Sequence, residues 1–163
     1  MKIDETKQKI IENSKQVFIE KGLKDVTMTD LISVSGYSRG GVYRYFKTPT
    51  DIFKELMKQN ILDLKESYQM ISFAEYLAQE KVELLDIKNS LSLAGYEFMT
   101  SREDKDELGS LIFETHLEII MNTKNCSKVE AQHIFLVLEG LRVMALTGII
   151  TEKIIEEAFS SFN

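Results

Sequence analysis

The chain has 163 residues, of which 44% are hydrophobic and 28% charged, and its net charge is −6. This composition excludes intrinsic disorder and fits one compact unit, or a small domain followed by a larger one. No apolar run approaches the roughly 18 residues of a membrane span, and we identify no signal peptide, so we expect a cytoplasmic protein with no membrane partner. The single Cys126 excludes an internal disulfide and suits a reducing compartment.

Charge is distributed unevenly along the chain. Residues 1–47 carry nine Lys or Arg against six Asp or Glu, a net charge of +3, whereas the remainder carries eleven against twenty, a net charge of −9. A basic part joined to an acidic part is typical of a protein that meets nucleic acid at one end only. The negative charge of the whole chain therefore does not argue against nucleic-acid binding.

A first helix is predicted over roughly residues 4–21, with Gly22 as its stop. Its apolar face should cover the back of the elements that follow, and it consists of Ile10, Ser14, Val17 and Phe18. One proline and eight glycines in the whole chain predict that the remaining elements are helices as well.

Two short helices should follow, joined by a turn of three residues. Thr27 is a good N-cap for the first, and Asp30 completes a capping box. Gly36 supplies a turn residue that can adopt a positive φ, and Ser38 caps the second helix. Two helices joined by a glycine-containing turn of this length indicate a helix-turn-helix motif.

The second of these helices has a composition that folding alone does not explain. Gly40 and Gly41 occupy its first turn, although each costs up to about 1 kcal/mol relative to alanine in a helix interior. Glycine lets a helix backbone approach a polyanion closely, and Arg39 is suited to reading bases. The other residues predicted to contact DNA, mainly at phosphates, are Thr27, Thr29, Ser38, Tyr43, Arg44, Tyr45 and Lys47. The alternative is a solvated surface helix that happens to contain two glycines.

This segment resembles the DNA-binding domain of bacterial TetR-family transcriptional regulators. The matching residues are Phe18, Gly22 and residues 26–28, 36–38 and 39–46, within about the first third of the chain. Ile32 stands where the family usually has a small residue, and Pro49 where it usually has a phosphate-contacting lysine, for which Lys47 is a partial substitute. The resemblance implies an all-α fold of about nine helices, with an N-terminal three-helix helix-turn-helix domain and a helical ligand-binding and dimerisation domain.

The rest of the chain also predicts helices. Thr48, Pro49 and Asp51 should open a fourth helix. Ser72 and Glu75 form a capping box for a short helix to about residue 81, followed by a helix over about 83–101 and a turn at residues 102–107. Further helices are predicted from about 108 to 121, from 128 to 147 and from Thr151 to the end. We place the DNA-binding domain at residues 1–47 and the ligand-binding and dimerisation domain at 48–163.

The helix predicted over residues 128–147 is apolar on almost every side, which requires burial on more than one face. It is either the central helix of a monomer or part of an interface. The resemblance favours a homodimer, because family members pair two C-terminal helices from each subunit. A two-fold dimer would also present two recognition helices about one turn of DNA apart. The predicted interface residues are Leu138, Leu141, Ala145, Ile155 and Phe159.

The sequence contains no pattern typical of catalysis. His116 and His133 are isolated on predicted helices, Cys126 has no partner at metal-ligand spacing, and the glycine pair lacks the strand of a phosphate-binding loop. We therefore predict no enzymatic activity, no cofactor and no metal. The resemblance instead implies a pocket for a small hydrophobic effector, for which the candidates are Met57, Asn60, Ile61, Tyr96, Met99, Phe113 and His116.

Together these patterns predict a homodimeric, ligand-responsive transcriptional regulator. We interpret it as a repressor that binds a palindromic double-stranded operator and is released by its effector. Two alternatives remain, a helical adaptor that uses the motif for protein contacts and an architectural protein that binds DNA without a ligand. The adaptor would show no salt-dependent affinity for DNA, and the architectural protein would show no preference for an operator.

Overall fold

The computed structural model describes residues 4–101 and 105–162, and within these ranges it contains nine α-helices, one short 3-10 helix and no strand. The helices are α1 Glu5–Lys21, α2 Met28–Ser35, α3 Arg39–Tyr43, α4 Pro49–Ser67, α5 Phe73–Leu85, α6 Ser92–Thr100, α7 Lys105–Lys124, α8 Lys128–Leu146 and α9 Glu152–Ser160. The 3-10 helix is Ile87–Asn89. The predicted all-α fold of about nine helices is confirmed.

The described residues form two compact units, each assembled from two stretches of chain. Unit 1 contains the described residues up to Asn60 and those within Leu91–Leu108, and unit 2 contains Ile61–Ser90 and those within Gly109–Asn163. Contacts therefore group α6 with α1, α2 and α3. The predicted domain boundary at residue 47 divides the chain along its sequence instead, and it stays a prediction.

Side-chain caps fix the starts of most helices, as the sequence predicted. The capping box at Thr27 and Asp30 forms at the start of α2, and a second one forms at Ser72 and Glu75 at the start of α5. At the start of α9, the backbone N–H of Ile154 donates to Thr151 Oγ1 over 3.3 Å. Each cap satisfies backbone donors that the first turn of a helix leaves without a partner.

The core of unit 1 is built around a row of aromatic rings. The ring centroids of Phe18 and Phe53 are 5.2 Å apart, and those of Phe53 and Phe98 are 5.9 Å apart, so the row joins α1, α4 and α6. Such ring pairs add to the hydrophobic gain from burial. The whole predicted inner face of α1 is buried, namely Ile10, Ser14, Val17 and Phe18.

Unit 2 combines an apolar core with one buried ion pair. The core draws on α5, α7, α8 and α9. Within it, the Arg142 guanidinium of α8 donates to the Glu80 carboxylate of α5 over 2.5 Å and to Glu139 over 2.7 Å. Glu80 and Arg142 are both buried. Removing Arg142 would leave the buried Glu80 carboxylate without a compensating charge, so the pair ties α5 to α8.

Two of the predicted helix boundaries are wrong. No helix spans 83–101, because α5 continues to Leu85 and α6 begins only at Ser92. Asp86 ends α5, and its carboxylate accepts a hydrogen bond from the Asn89 amide over 2.7 Å in the 3-10 turn. Short polar side chains compete with helical hydrogen bonding in this way. In addition, α7 begins at Lys105, within the turn predicted at 102–107, and residues 102–104 lie outside the described residues.

Helix α8 buries only one of its apolar faces within the chain. Leu138, Leu141 and Ala145 face the core of unit 2, and Ile155 of α9 is buried there too, whereas Phe159 is half-buried. Residues buried in a single chain gain no further burial against a second copy. The first four are thus part of the core of unit 2 in the single chain, and their place in a dimer interface stays a prediction. The exposed face of α8 carries a different apolar stripe: Val129, Leu136 and Val143, which are 75%, 66% and 49% exposed.

None of the described helices combines the length and hydropathy that a membrane span requires.

Candidate DNA-binding surface

The predicted helix-turn-helix forms in unit 1. Helix α2 ends at Ser35, and Gly36 adopts the left-handed conformation with φ 79° and ψ 8°. The backbone N–H of Tyr37 donates to Ser35 Oγ over 3.1 Å, which stabilises the turn. Leu31 and Ser35 of α2 and Val42 of α3 are buried, so each helix is anchored from one side and its opposite face remains exposed.

The residues predicted to contact DNA lie within or next to this motif. Eight of them are exposed: Thr27, Thr29, Ser38, Arg39, Gly40, Tyr43, Arg44 and Lys47. Gly41 and Tyr45 are half-buried. The exposed side chains include three cations and one phenol, and this composition suits contacts with phosphates and base edges.

The fold itself does not require glycine in the first turn of α3. A Cβ atom added at Gly40 would meet no atom within 4 Å, and one added at Gly41 would make ordinary contacts of 3.5 Å with Ser38 and Tyr37. Neither residue is among the glycines with a positive φ. Alanine would favour the helix at both positions, so the fold gives no internal reason for glycine here.

Two arginines of this surface lie over aromatic rings. The guanidinium carbon of Arg39 is 6.0 Å from the centroid of the Tyr43 ring, and that of Arg44 is 5.9 Å from the Tyr45 ring. Arginine stacks favourably on such rings. Each ring therefore supports a guanidinium group in a limited range of positions.

Two of the predicted phosphate contacts are already engaged within the chain. The Thr27 hydroxyl donates to Asp30 Oδ2 over 2.7 Å, and Asp30 also pairs with Lys21. Hydrogen bonds from Lys21 and Thr27 lower the pKa of Asp30 to about 2, so its carboxylate remains charged. Thr27 thus serves as a cap of α2, and its hydroxyl proton is committed to Asp30.

The Tyr45 hydroxyl is the second engaged group. It donates to Asp4 Oδ2 over 2.6 Å, which lowers the pKa of Asp4 and raises that of Tyr45. Asp4 also caps α1 by accepting from the backbone N–H of Thr6. This role of Asp4 was not predicted from the sequence. An aspartate at the start of a predicted helix is an N-cap signal, but it does not reveal a partner 41 residues away.

Lys47 lies at the junction between α3 and α4. The Asp51 carboxylate accepts from the backbone N–H groups of Lys47 and Thr48 over 3.0 and 2.9 Å, which caps α4. These bonds use the backbone of Lys47, whereas its side chain is exposed. Lys47 thus lies two residues before Pro49, the position at which the family resemblance implied that a phosphate-contacting lysine is missing.

The residues predicted for an effector pocket fall in both units. Met57, Asn60, Tyr96 and Met99 belong to unit 1, whereas Ile61, Phe113 and His116 belong to unit 2. Within unit 2, the Phe113 and His116 rings both pack on Phe135, with centroids 5.3 and 5.6 Å away. Burial and the charge of Arg142 lower the pKa of His116 to about 3, so its ring is neutral at physiological pH. Its Nδ1 atom is enclosed and has no hydrogen-bond partner among the described residues.

Metal binding finds no support in the described part of the chain, where no group of three or more His, Cys, Asp or Glu side chains could hold an ion.

Comparison with known proteins identifies the N-terminal motif. Residues 10–56, which include α2 and α3, match the family model of bacterial regulatory proteins of the tetR family. The chain is 30% identical over 112 residues to the uncharacterised helix-turn-helix-type transcriptional regulator YfiR of Bacillus subtilis, covering 64% of this chain and 55% of YfiR. It is 34% identical over 53 residues to the repressor BepR of Brucella suis, covering 32% of this chain and 25% of BepR. The chain thus spans about half or less of these curated relatives.

A solved structure resembles the whole fold. A protein described as a TetR-family transcriptional regulator from Syntrophomonas wolfei superposes with a TM-score of 0.66, over 97% of this chain and 93% of its own. The sequence identity of 22% supports likeness of fold alone. The match of residues 10–56 to the tetR family model, the helix-turn-helix and the all-helical architecture agree, and together they support a TetR-family transcriptional regulator.

Proposed function

We propose that the chain is a DNA-binding transcriptional regulator that binds a palindromic operator as a dimer, represses transcription there and is released by a small effector. The observation that carries the proposal is α3, whose exposed face combines Arg39, Tyr43 and Arg44 with a glycine that the fold does not require. The family relationship supports the same function, and one relative, BepR, is named as a repressor. We propose no catalytic role.

In this proposal α3 lies in the major groove and α2 crosses the backbone, as in other helix-turn-helix proteins. Arg39 reads a base edge, and Gly40 permits close approach of the helix. Thr29, Ser38, Tyr43, Arg44 and Lys47 contact mainly phosphates. Thr27 and Tyr45 act through the positions of α2 and α3, since their hydroxyl protons are bonded to Asp30 and Asp4.

Dimerisation is proposed through the exposed stripe of α8. Val129, Leu136 and Val143 recur every seven residues, so they lie along one side of the helix. Gly140 is exposed between Leu136 and Val143 and would allow close approach of a second helix. Large exposed apolar side chains in a continuous stripe commonly mark an interaction site. A second copy of the chain would cover this stripe and supply the second recognition helix.

Selection of bound fragments from a random pool of duplex DNA tests the proposal as a whole. We expect enrichment of an inverted repeat whose half-sites are about one helical turn apart, with an affinity that falls steeply as salt rises. A helical adaptor would enrich no fragment and show no salt-dependent binding. An architectural protein would bind with the expected salt dependence but enrich no repeat.

Replacing Arg39 by alanine should weaken binding to the selected duplex by about 1–3 kcal/mol and binding to random duplex much less, since a bidentate base contact discriminates by that amount. Fluorescence anisotropy at several salt concentrations provides the measurement. Lys47→Ala is the matched control, because loss of a phosphate contact should weaken both duplexes alike and flatten the slope of log K against log salt by about 1. If Arg39→Ala loses equal affinity for both duplexes, Arg39 contacts a phosphate and not a base.

Replacing Gly40 by alanine should separate stability from DNA binding. The helix should gain up to about 1 kcal/mol, because alanine favours a helix and the added Cβ meets no atom of the chain. Affinity for the selected duplex should nevertheless fall, because the methyl group occupies the space of the DNA. Urea unfolding and anisotropy measure the two effects. Gly95→Ala on α6 is the control, since its Cβ would also meet open space away from the motif. Unchanged affinity would leave Gly40 unexplained.

Replacing Leu136 or Val143 by glutamate should yield a folded monomer, because either charge would lie in the proposed interface and neither disturbs the core. Sedimentation velocity and circular dichroism test this directly. Leu138→Glu is the contrasting variant, and it should unfold unit 2, since Leu138 is only 1% exposed. If the dimer persists in both surface variants, this face of α8 is not the dimer interface.

The effector should be a small apolar compound that contacts Phe113 and His116 in unit 2 and offers a hydrogen-bonding group to the enclosed His116 Nδ1. Compounds that raise the melting temperature would be titrated with and without the selected duplex. We expect roughly tenfold weaker duplex binding when the compound is bound, within the usual range of allosteric coupling. Thermodynamic linkage requires that the duplex weaken binding of the compound by the same factor. A compound whose affinity the duplex leaves unchanged would not be a regulatory effector.

A further inference from the structure

Helix α6 is bonded to the turn between α1 and α2, although the two are more than 70 residues apart in sequence. Glu97 Oε2 of α6 accepts hydrogen bonds from the backbone N–H of Leu23 over 2.5 Å and of Lys24 over 3.0 Å. All three residues belong to unit 1. A single carboxylate oxygen thus holds two consecutive backbone donors of the turn.

The conformation of this turn and the position of the carboxylate depend on each other. Gly22 has φ 72° and ψ −171°, a region that is essentially restricted to glycine. A Cβ atom at Gly22 would lie 2.6 Å from Glu97 Oε2, so any other residue would also displace the carboxylate. Glycine at position 22 therefore serves both the backbone conformation and the approach of Glu97.

The bonds to Leu23 and Lys24 offset an unfavourable electrostatic position. The C-terminal end of a helix carries partial negative charge, and the Glu97 carboxylate lies beside the C-cap of α1. Charge-assisted hydrogen bonds from two backbone donors compensate for this. The next residue, Phe98, is buried in the aromatic row with Phe53, which fixes α6 where its carboxylate reaches the turn.

The turn held by Glu97 leads directly into the DNA-binding motif. Lys21, which precedes it, pairs with Asp30 of α2 over 2.7 Å, and Thr27, three residues after Lys24, is the cap of α2. The position of α2, and of α3 beyond the Gly36 turn, therefore depends on the turn that Glu97 fixes.

We propose that Glu97 is a positioning residue for operator binding, which it controls by fixing the α1–α2 turn. This inference rests on the proposed function.

The experiment compares three variants of the full chain. Glu97→Ala removes the acceptor, and Glu97→Gln keeps an acceptor oxygen at the same position without the charge. Thr100→Ala on the same helix is the control, since that hydroxyl donates only within α6, to the carbonyls of Tyr96 and Glu97. Circular dichroism establishes folding, and amide hydrogen exchange at Leu23 and Lys24 reports on the turn. Anisotropy measures affinity for the selected duplex and for random duplex.

We expect Glu97→Ala to remain helical, to exchange the Leu23 and Lys24 amides faster and to bind the selected duplex about tenfold more weakly, with a smaller loss on random duplex. Glu97→Gln should restore most of this affinity, and Thr100→Ala should match the unmodified chain. Full operator affinity in Glu97→Ala despite fast exchange would overturn the proposal. Equal losses in Glu97→Ala and Glu97→Gln would also overturn it, and should Glu97→Ala unfold, the Glu97→Gln result decides alone. Absence of salt-dependent DNA binding in the unmodified chain would instead refute the proposed function.

Discussion

The DNA-binding surface depends on the burial of two side chains, Val42 and Phe46. Helix α3 has five residues, two of them glycines, and a helix this short is unstable in isolation. It forms because Val42 is fully buried and Phe46 is 2% exposed, with the Lys7 ammonium 5.8 Å from the Phe46 ring. Because α3 is anchored through its buried face, packing does not constrain the residues on its opposite face. That face can therefore carry residues chosen for a partner, although they contribute little to folding.

The difference between the buried and the exposed face of α3 also explains which residues occur on this surface. Where a side chain stabilises the motif, the structure shows a specific bond, such as Thr27 to Asp30 or Tyr45 to Asp4. At Gly40 the structure shows no internal reason for the residue present. Positions that break a local rule without an internal compensation are expected at functional sites. The contrast therefore distinguishes residues that stabilise the motif from residues that are candidates for contact with a partner.

Local signals in the sequence predicted much of the fold. The caps at Thr27, Ser38, Ser72 and Thr151 involve partners within three residues, and the inner face of α1 follows from helical spacing. The boundary between α5 and α6 was predicted at about residue 82 instead of at Asp86, because apolar residues keep helical spacing across the break and periodicity alone cannot locate it. In α8, an apolar pattern on every side indicates burial but not which face points inward, so Leu138 was chosen although Leu136 is the exposed one. The partners of Glu97 and Asp4 are 74 and 41 residues away, beyond any local pattern.

Helix α6 belongs to the same unit as the helix-turn-helix, and its contact with the α1–α2 turn can be compared with the free energy that regulation requires. Typical allosteric coupling changes affinity by 5–150-fold, which corresponds to roughly 1–3 kcal/mol. A hydrogen bond to a charged group contributes about 1.5–3 kcal/mol, and Glu97 accepts two of them at the α1–α2 turn. Weakening this one contact therefore matches the free energy that regulation requires. Loss of both bonds to Glu97 would free the turn that precedes α2, on which the position of the recognition helix depends.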